Sequence, residues 1–285
     1  MQLTELDTSK RFDARVVSSE RITPGDSSEE IRELVLDVDA PGLSLDVGQS
    51  VGVLSPGDPE FGQAHHLRLY SVADLPERNP DGSPRIKIAV KRCFYVDEYN
   101  GELYQGLASN YLCDLTPGER VTLTGPFGLP FEVPAERDAN LILIATSTGI
   151  APFRAFVRYL YEKSDFVGRI MLFYGARSGL DVIYLNDEGG DFAQYYDAET
   201  FEAFQALSPR PHFGDEIAWG DTILKRGSEL WKMLGDLKTY VYVAGLHETS
   251  EQLDRVFAQI AGSEARWQRR KAELQAGQRW VELLY

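Results

Sequence analysis

The hydrophobic rhythm of the chain changes once, at Pro134-Ala135-Glu136-Arg137-Asp138, and that change limits what it can fold into. Before it, the apolar residues alternate. Ile86, Ile88 and Val90 are spaced by Lys87 and Ala89, the period of a half-buried strand. Leu34-Val35-Leu36 and Val51-Gly52-Val53-Leu54 are further strand segments. Pro24-Gly25, Pro41-Gly42, Pro56-Gly57 and Pro117-Gly118 punctuate them. Many short strands joined by such turns predict a small antiparallel β-barrel.

After residue 138 the apolar runs become continuous. Leu141-Ile142-Leu143-Ile144, Ile170-Met171-Leu172-Phe173 and Tyr240-Val241-Tyr242-Val243 read as strands buried on both faces of a parallel sheet. Helical spacing follows two of them: Phe153, Phe156, Val157 and Leu160, then Leu253, Val256, Phe257 and Ile260. Thr249 and Gln252 have the spacing of a capping box for the second helix. Alternating buried strands and helices predict a doubly wound α/β domain with a parallel sheet. The expected division is 1–137 for the barrel and 138–285 for the α/β domain. Ligands of such a sheet sit beyond the carboxyl ends of its strands. Ala145-Thr146-Ser147-Thr148-Gly149 and Ala244-Gly245-Leu246-His247 mark two of those ends.

Composition narrows the classes. With 285 residues and 43% apolar content the chain can bury two cores. A net charge of −15 argues against general nucleic-acid binding. Cys93 and Cys113 are the only cysteines, too few for a four-thiolate cluster or a disulfide framework, and consistent with a reducing compartment. His65, His66, His212 and His247 offer little for a metal, and neighbours on a strand point to opposite faces. No apolar run reaches membrane-spanning length and no signal peptide is visible, so a cytoplasmic location is expected, free or at the edge of a membrane complex.

Chemistry concentrates in a few segments. In Arg68-Leu69-Tyr70-Ser71 the guanidinium offers a fork of donors suited to a pyrophosphate. The phenol ring suits stacking on an isoalloxazine, and the serine hydroxyl can serve the flavin N5. By itself the tetrapeptide also fits a strand with one exposed arginine. Gly106-Leu107-Ala108-Ser109-Asn110-Tyr111-Leu112 follows, with a glycine for close approach and amides at a helix start. Thr148-Gly149-Ile150-Ala151-Pro152-Phe153-Arg154 joins a strand to a helix whose first amides form a second anion site.

With Ala89-Val90-Lys91, the continuation to Cys113-Asp114-Leu115, Gly245-Leu246 and the terminal Tyr285, these segments occur in the order found in plant-type ferredoxin–NADP reductases. The chain resembles that family from about residue 13 to 285. The resemblance implies FAD as prosthetic group and hydride exchange with NADP(H) at flavin N5. It implies Arg68, Leu69, Tyr70 and Ser71 around the flavin, with Arg68 and Ser109 at the pyrophosphate. Ala89, Val90, Lys91 and Tyr95 would follow the ribose and adenine side, and Gly106, Leu107 and Ala108 would join Ser109. Thr148 and Tyr285 would complete the FAD set, Tyr285 covering the second flavin face as a gate. Thr146, Thr148, Gly149, Arg177, Ser208, Arg210, Gly245 and Leu246 would hold NADP. Ser71, Glu282 and Tyr285 would be the catalytic side chains, with no metal.

Four departures concern the nicotinamide half. Ala145 and Ser147 stand where the family has glycines, and Ala244 where it has cysteine. The family's terminal glutamate lies two residues before the last tyrosine; here Leu283 is at that place and Glu282 one residue earlier. Ser208-Pro209-Arg210 interrupts the family's Ser-Arg pair, Trp219 replaces a tyrosine, and Asp221 is a nearby acid. NADPH is favoured and NADH stays open. The implied partner is a small acidic ferredoxin or a flavodoxin, docking on Arg266, Arg269, Arg270 and Lys271 or on Lys87, Lys91 and Arg92. Solvated helix faces explain the same charges. The reductase component of a multi-component oxygenase and a non-catalytic nucleotide-binding subunit are the alternatives.

Overall fold

A computed structural model describes residues 6–57, 64–97, 99–128, 131–185, 192, 200–210 and 215–285. His212 lies outside them. The chain forms two compact units, Met1–Leu129 and Pro130–Tyr285.

The first unit is an antiparallel sheet. Its strands are β1 (Arg11–Arg21), β2 (Ile31–Val38), β3 (Ser50–Pro56), β4 (His65–Ser71), β5 (Glu77–Arg78), β6 (Pro84–Lys91), the hairpin β7 (Phe94–Val96) and β8 (Leu103–Gln105), and, after helix α1 (Leu107–Asp114), β9 (Arg120–Phe127). The order is β4-β3-β9-β1-β2-β6-β5, and β7 pairs only with β8. Alternation decides the inward face: Phe12, Ala14 and Val16 are buried while Arg11, Asp13 and Arg15 are exposed. The sheet curls until its ends meet. Val72, just past β4, bridges Ile88 of β6, and the Ala73 amide donates to the Lys87 carbonyl at 2.8 Å. Leu34, Leu36, Val51, Val53, Ile86, Ile88 and Leu123 fill the interior. Helix α1 packs on β3, β4 and β6 and adds Leu112 and Cys113 to that core. Burial pushes the Cys113 thiol up to about 12. Both cysteines are free.

The second unit is a parallel sheet with helices on both faces. Its elements are β10 (Asn140–Thr146), α2 (Ile150–Lys163), β11 (Ile170–Ala176), β12 (Phe201–Leu207), α3 (Gly227–Met233), β13 (Thr239–Gly245), α4 (His247–Ala261), α5 (Glu264–Ala276) and β14 (Trp280–Leu284). The strand order is β12-β11-β10-β13-β14. Every residue of β11 is buried, as is β10 from Leu141 onward. Ile142, Ile144, Val241 and Val243 face one core with Leu253, Phe257, Trp267 and Trp280. Tyr242 faces the other way, against Phe131 and Phe156.

Three sequence expectations change. β12 and β14 were not expected as strands. Both lie at sheet edges and bury few side chains, Phe201 and Ala206 in β12 and Trp280 in β14, so neither shows the continuous apolar run of the central strands. The capping box at Thr249 is absent: α4 begins two residues earlier, at His247, with Leu246 in the cap position. Thr249 instead bonds Thr146 (Oγ1 to Oγ1, 3.2 Å), and Gln252 accepts from the Trp219 indole at 3.0 Å. Lys271 is not a surface docking cation. It is buried on the inner face of α5, 2.9 Å from Asp254 and 3.0 Å from Glu282. The Trp267 indole donates to Asp254 (2.7 Å) and the Trp280 indole to Glu282 (2.6 Å). Among the described residues no helix is long and apolar enough to cross a membrane.

Removing Lys271 leaves two carboxylates facing an apolar cluster, and breaking a buried pair from one side is costly. Lys271→Ala is expected to lower urea stability of the second unit by about 3 kcal/mol. A loss below about 0.5 kcal/mol would show that water compensates both acids.

Candidate flavin and nucleotide sites

In the first unit, β4 carries Arg68-Leu69-Tyr70-Ser71 paired against β3, with Val53 opposite Arg68 and Ser50 opposite Ser71. Alternation puts Arg68 and Tyr70 on one face. Arg68 is exposed, and among the described residues its guanidinium bonds only its neighbour's carbonyl, Leu67, at 3.4 Å. No carboxylate pairs with it among the described residues. Tyr70 packs on the barrel core, and burial holds its phenol protonated, far above the usual value. Burial and the Arg68 charge together hold His66 below its ordinary value. His65 and His66 open β4, one exposed and one half-buried. The Ser71 hydroxyl lies 3.5 Å from that of Ser50, which leaves it hydrogen-bonding capacity.

Helix α1 starts at Gly106 with no side-chain cap, so its first amides lack intrahelical partners. A Cβ at Gly106 would come within 2.8 Å of the Ser109 hydroxyl and 3.3 Å of Cys93. The Ser109 hydroxyl donates to the Gly106 carbonyl and accepts from the Cys93 amide, both at 3.2 Å. Asn110 donates to the carbonyls of Cys93 (2.8 Å) and Gly106 (3.0 Å). These side chains shape the helix start. Leu107 is exposed and Ala108 buried behind it. Because α1 also packs on β4, the Gly106 and Arg68 segments share one side of the barrel. Ala89 and Val90 are core residues. Lys91 is held by Glu29 at 2.5 Å, and Tyr95 is exposed and stacked on Tyr104 at 5.5 Å. Lys87 pairs with Asp74, and Arg92 with Glu30 and Asp114. The three barrel cations considered for docking are therefore neutralised by neighbours. An uncompensated arginine and an uncapped helix start suit the pyrophosphate of FAD.

In the second unit the strand order reverses between β10 and β13, the place where open α/β sheets take ligands beyond the carboxyl ends. Two glycines allow the turns there to touch. A Cβ on Gly149 would be driven into the Ala244 carbonyl, and one on Gly245, at φ +146°, into the Thr146 hydroxyl. Thr146 is buried and accepts from the Leu246 amide at 3.1 Å, clasping the two turns. Ser147 adopts φ +50°, a conformation glycine takes without cost. Its hydroxyl is buried with no hydrogen-bond partner among the described residues. No side chain caps α2. The Ile150 amide is already bonded to the Ser147 carbonyl and Pro152 has none to offer, so the amides of the Ser147–Gly149 turn, the helix dipole and the orphaned hydroxyl are what suit a dinucleotide phosphate.

The last strand delivers Tyr285 to the same place. Its amide donates to the Gly245 carbonyl at 3.0 Å, and its hydroxyl lies 2.9 Å from that of Thr148. The ring is half exposed. Glu282 faces the other way, bonded to Lys271, Trp280 and Ser250 on the α4–α5 side. It anchors β14 there. Ala244 is fully buried.

At the far end of the sheet, Ala176 of β11 pairs with Leu207 of β12, so Arg177 and Ser208 are the next residues on adjacent strands. Arg177 is exposed with no ion-pair partner among the described residues. Ser208 is buried and donates to the Asp215 carbonyl at 2.6 Å, while Arg210 pairs with the Asp215 carboxylate at 2.9 Å. Arg210 is thus already engaged by an acid. Trp219 is a core residue packed against Gly175 and offers no stacking face. Asp221 pairs loosely with Lys225 at 3.7 Å. Sequence reasoning missed Asp215, because its contact with Ser208 and Arg210 is made only in the folded chain. It missed Asn110's anchoring role, though an asparagine four residues after a glycine at a helix start is a usable signal.

A barrel with an anion-ready arginine and a separate parallel sheet with a dinucleotide-type switch point define the class of flavin-dependent nicotinamide-nucleotide oxidoreductases. Residues 143–255 match the "Oxidoreductase NAD-binding domain" family. The chain is 32% identical over 281 residues to the chloroplastic ferredoxin–NADP reductase of Mesembryanthemum crystallinum, covering 96% of this chain and 76% of that protein. It is 33% identical over 272 residues to a rice leaf isozyme, covering 93% and 74%. It is 28% identical to the Spirulina enzyme, covering 93% and 92%. The ferredoxin-NADP+ reductase of Plasmodium falciparum, solved with 2'P-AMP, superposes with a TM-score of 0.73 at 19% identity, over 99% of this chain and 98% of that one, which shows a shared fold. The chain belongs to the ferredoxin–NADP reductase family.

Gly149→Ala must separate the two turns. It is expected to cost about 1–3 kcal/mol and to abolish nucleotide binding; wild-type binding by calorimetry would refute the close-approach account. Tyr285→Ser removes the ring and its bond to Thr148. Nicotinamide nucleotides should bind more tightly and NADPH should be distinguished less from NADH. Unchanged affinity for both nucleotides would exclude a gating role.

Proposed function

We propose that the chain is an FAD-dependent oxidoreductase that passes electrons between NADP(H) and a one-electron carrier of the ferredoxin or flavodoxin type. The observation that carries the site assignment is Arg68. It is exposed and without a carboxylate partner among the described residues, in a chain where most cations are paired. The chemistry a flavin supplies when bound is uptake of two electrons as hydride and their release one at a time. The residues of this chain bind and orient. Arg68 and the open amides of α1 hold the pyrophosphate, Tyr70 presents its ring, and the Ser71 hydroxyl serves N5. In the second unit the Ser147–Gly149 turn and the α2 dipole hold the dinucleotide phosphate. Arg177 stands directly after the strand next to β10. An acidic residue in that neighbourhood would favour the 2′-hydroxyl of NAD, whereas an arginine accommodates the 2′-phosphate. Thr148 and Tyr285 guard the nicotinamide end.

For the carrier, Arg266, Arg269 and Arg270 remain as docking cations on the outer face of α5. Arg266 and Arg270 lie over the Trp231 ring at 5.0 and 5.7 Å. Among the described residues Arg269 and Arg270 pair only with Glu273 on the same helix. A small acidic carrier fits this patch despite the charge of −15. A reducing, cytoplasmic setting is part of the proposal, supported by the free thiols of Cys93 and Cys113.

The purified protein should be yellow and should bleach on anaerobic addition of NADPH. A colourless protein that takes up no FAD would overturn the reading. Arg68→Ala should weaken FAD binding on the order of tenfold or more. Turnover with an acidic carrier should fall steeply between low and physiological salt, and a flat profile would remove α5 as the docking face.

A further inference from the structure

We propose that Asp215 tunes nucleotide preference by competing with the 2′-phosphate of NADP(H) for Arg210. This rests on the assignment of the β11–β12 end to the 2′-phosphate. Arg177 and Ser208 follow paired residues on adjacent parallel strands, and the Ser208 amide bonds the Ala176 carbonyl at 3.2 Å. The next cation, three residues past the end of β12, is Arg210. Its guanidinium meets both carboxylate oxygens of Asp215, at 2.9 and 3.4 Å. The acid is placed by its own main chain, since the buried Ser208 hydroxyl donates to the Asp215 carbonyl at 2.6 Å. It is the less exposed partner, with 26% of its side chain exposed against 69% for Arg210.

The chemistry separates the two nucleotides. A phosphate monoester carries up to two negative charges and needs the same guanidinium fork. To use Arg210 it must displace the carboxylate and then sit beside it. A 2′-hydroxyl carries no charge and leaves the pair undisturbed. Asp215 therefore penalises NADPH and leaves NADH untouched, and Arg177 is the cation available to the phosphate without competition.

Asp215→Asn keeps the shape and the backbone bond to Ser208 while removing the charge. In FAD-loaded protein, calorimetry with adenosine 2′,5′-bisphosphate and with AMP reads the effect directly. The bisphosphate should bind about fivefold more tightly, the scale of an exposed ion pair, and AMP should be unchanged. The kcat/KM ratio of NADPH to NADH should rise by a similar factor. In an Arg210→Ala background the Asp215→Asn gain should vanish. No gain, an equal gain for AMP, or a gain that survives without Arg210 would each overturn the proposal. The underlying assignment fails separately: if Arg210→Ala and Arg177→Ala both leave bisphosphate binding intact, the 2′-phosphate lies elsewhere, whatever Asp215→Asn does.

Discussion

The second unit depends on a main-chain contact that no side chain could tolerate. β10 and β13 run parallel, and beyond their ends the chain must turn twice in one small volume. Gly149 against Ala244, and Gly245 against Thr146, leave no room for a Cβ. Thr146 then becomes the clasp, with one hydroxyl joined to the Leu246 amide and to Thr249. The turn that leads into α2 and the landing point of Tyr285 both follow from that approach. β14 extends the same logic, since the amide of Tyr285, just past its end, donates to the Gly245 carbonyl.

Charge is arranged by the same economy. The chain is strongly acidic, and its acids neutralise most of its basic side chains. Glu29 takes Lys91, Asp74 takes Lys87, and Glu30 with Asp114 takes Arg92. Arg68 and Arg177 stand without carboxylates among the described residues, each beside a helix start or strand end where an anion belongs. Local uncompensated charge, not net charge, is what a phosphate meets. Arg210 is the intermediate case, with its carboxylate already in place.

The terminal segment shows how a shift of one residue is read in three dimensions. Along β14 successive side chains point to opposite faces. Glu282 therefore shares the helix-facing side with Trp280 and Leu284, and Lys271 and Ser250 bind it there. A carboxylate one residue later would face the other side. The glutamate visible near the terminus is an anchor for the strand that carries Tyr285.

The two-unit plan was legible because periodicity is a property of the sequence: alternation makes half-buried strands, and continuous apolar runs make strands buried twice over. The buried strands β10, β11 and β13 and the helices α2 and α4 were legible for that reason. The edge strands β12 and β14 were not, because an edge buries less and its pattern fades into the polar background. The capping role assigned to Thr249 and the surface role assigned to Lys271 failed for a different reason: each residue's partner, Thr146 or Asp254 and Glu282, comes from another element. Which cations are free and which acid faces Arg210 are likewise set by tertiary packing. The sequence by itself determined the buried elements and the glycines between them. Only the folded chain decided which polar groups were spent on one another and which remained for a ligand.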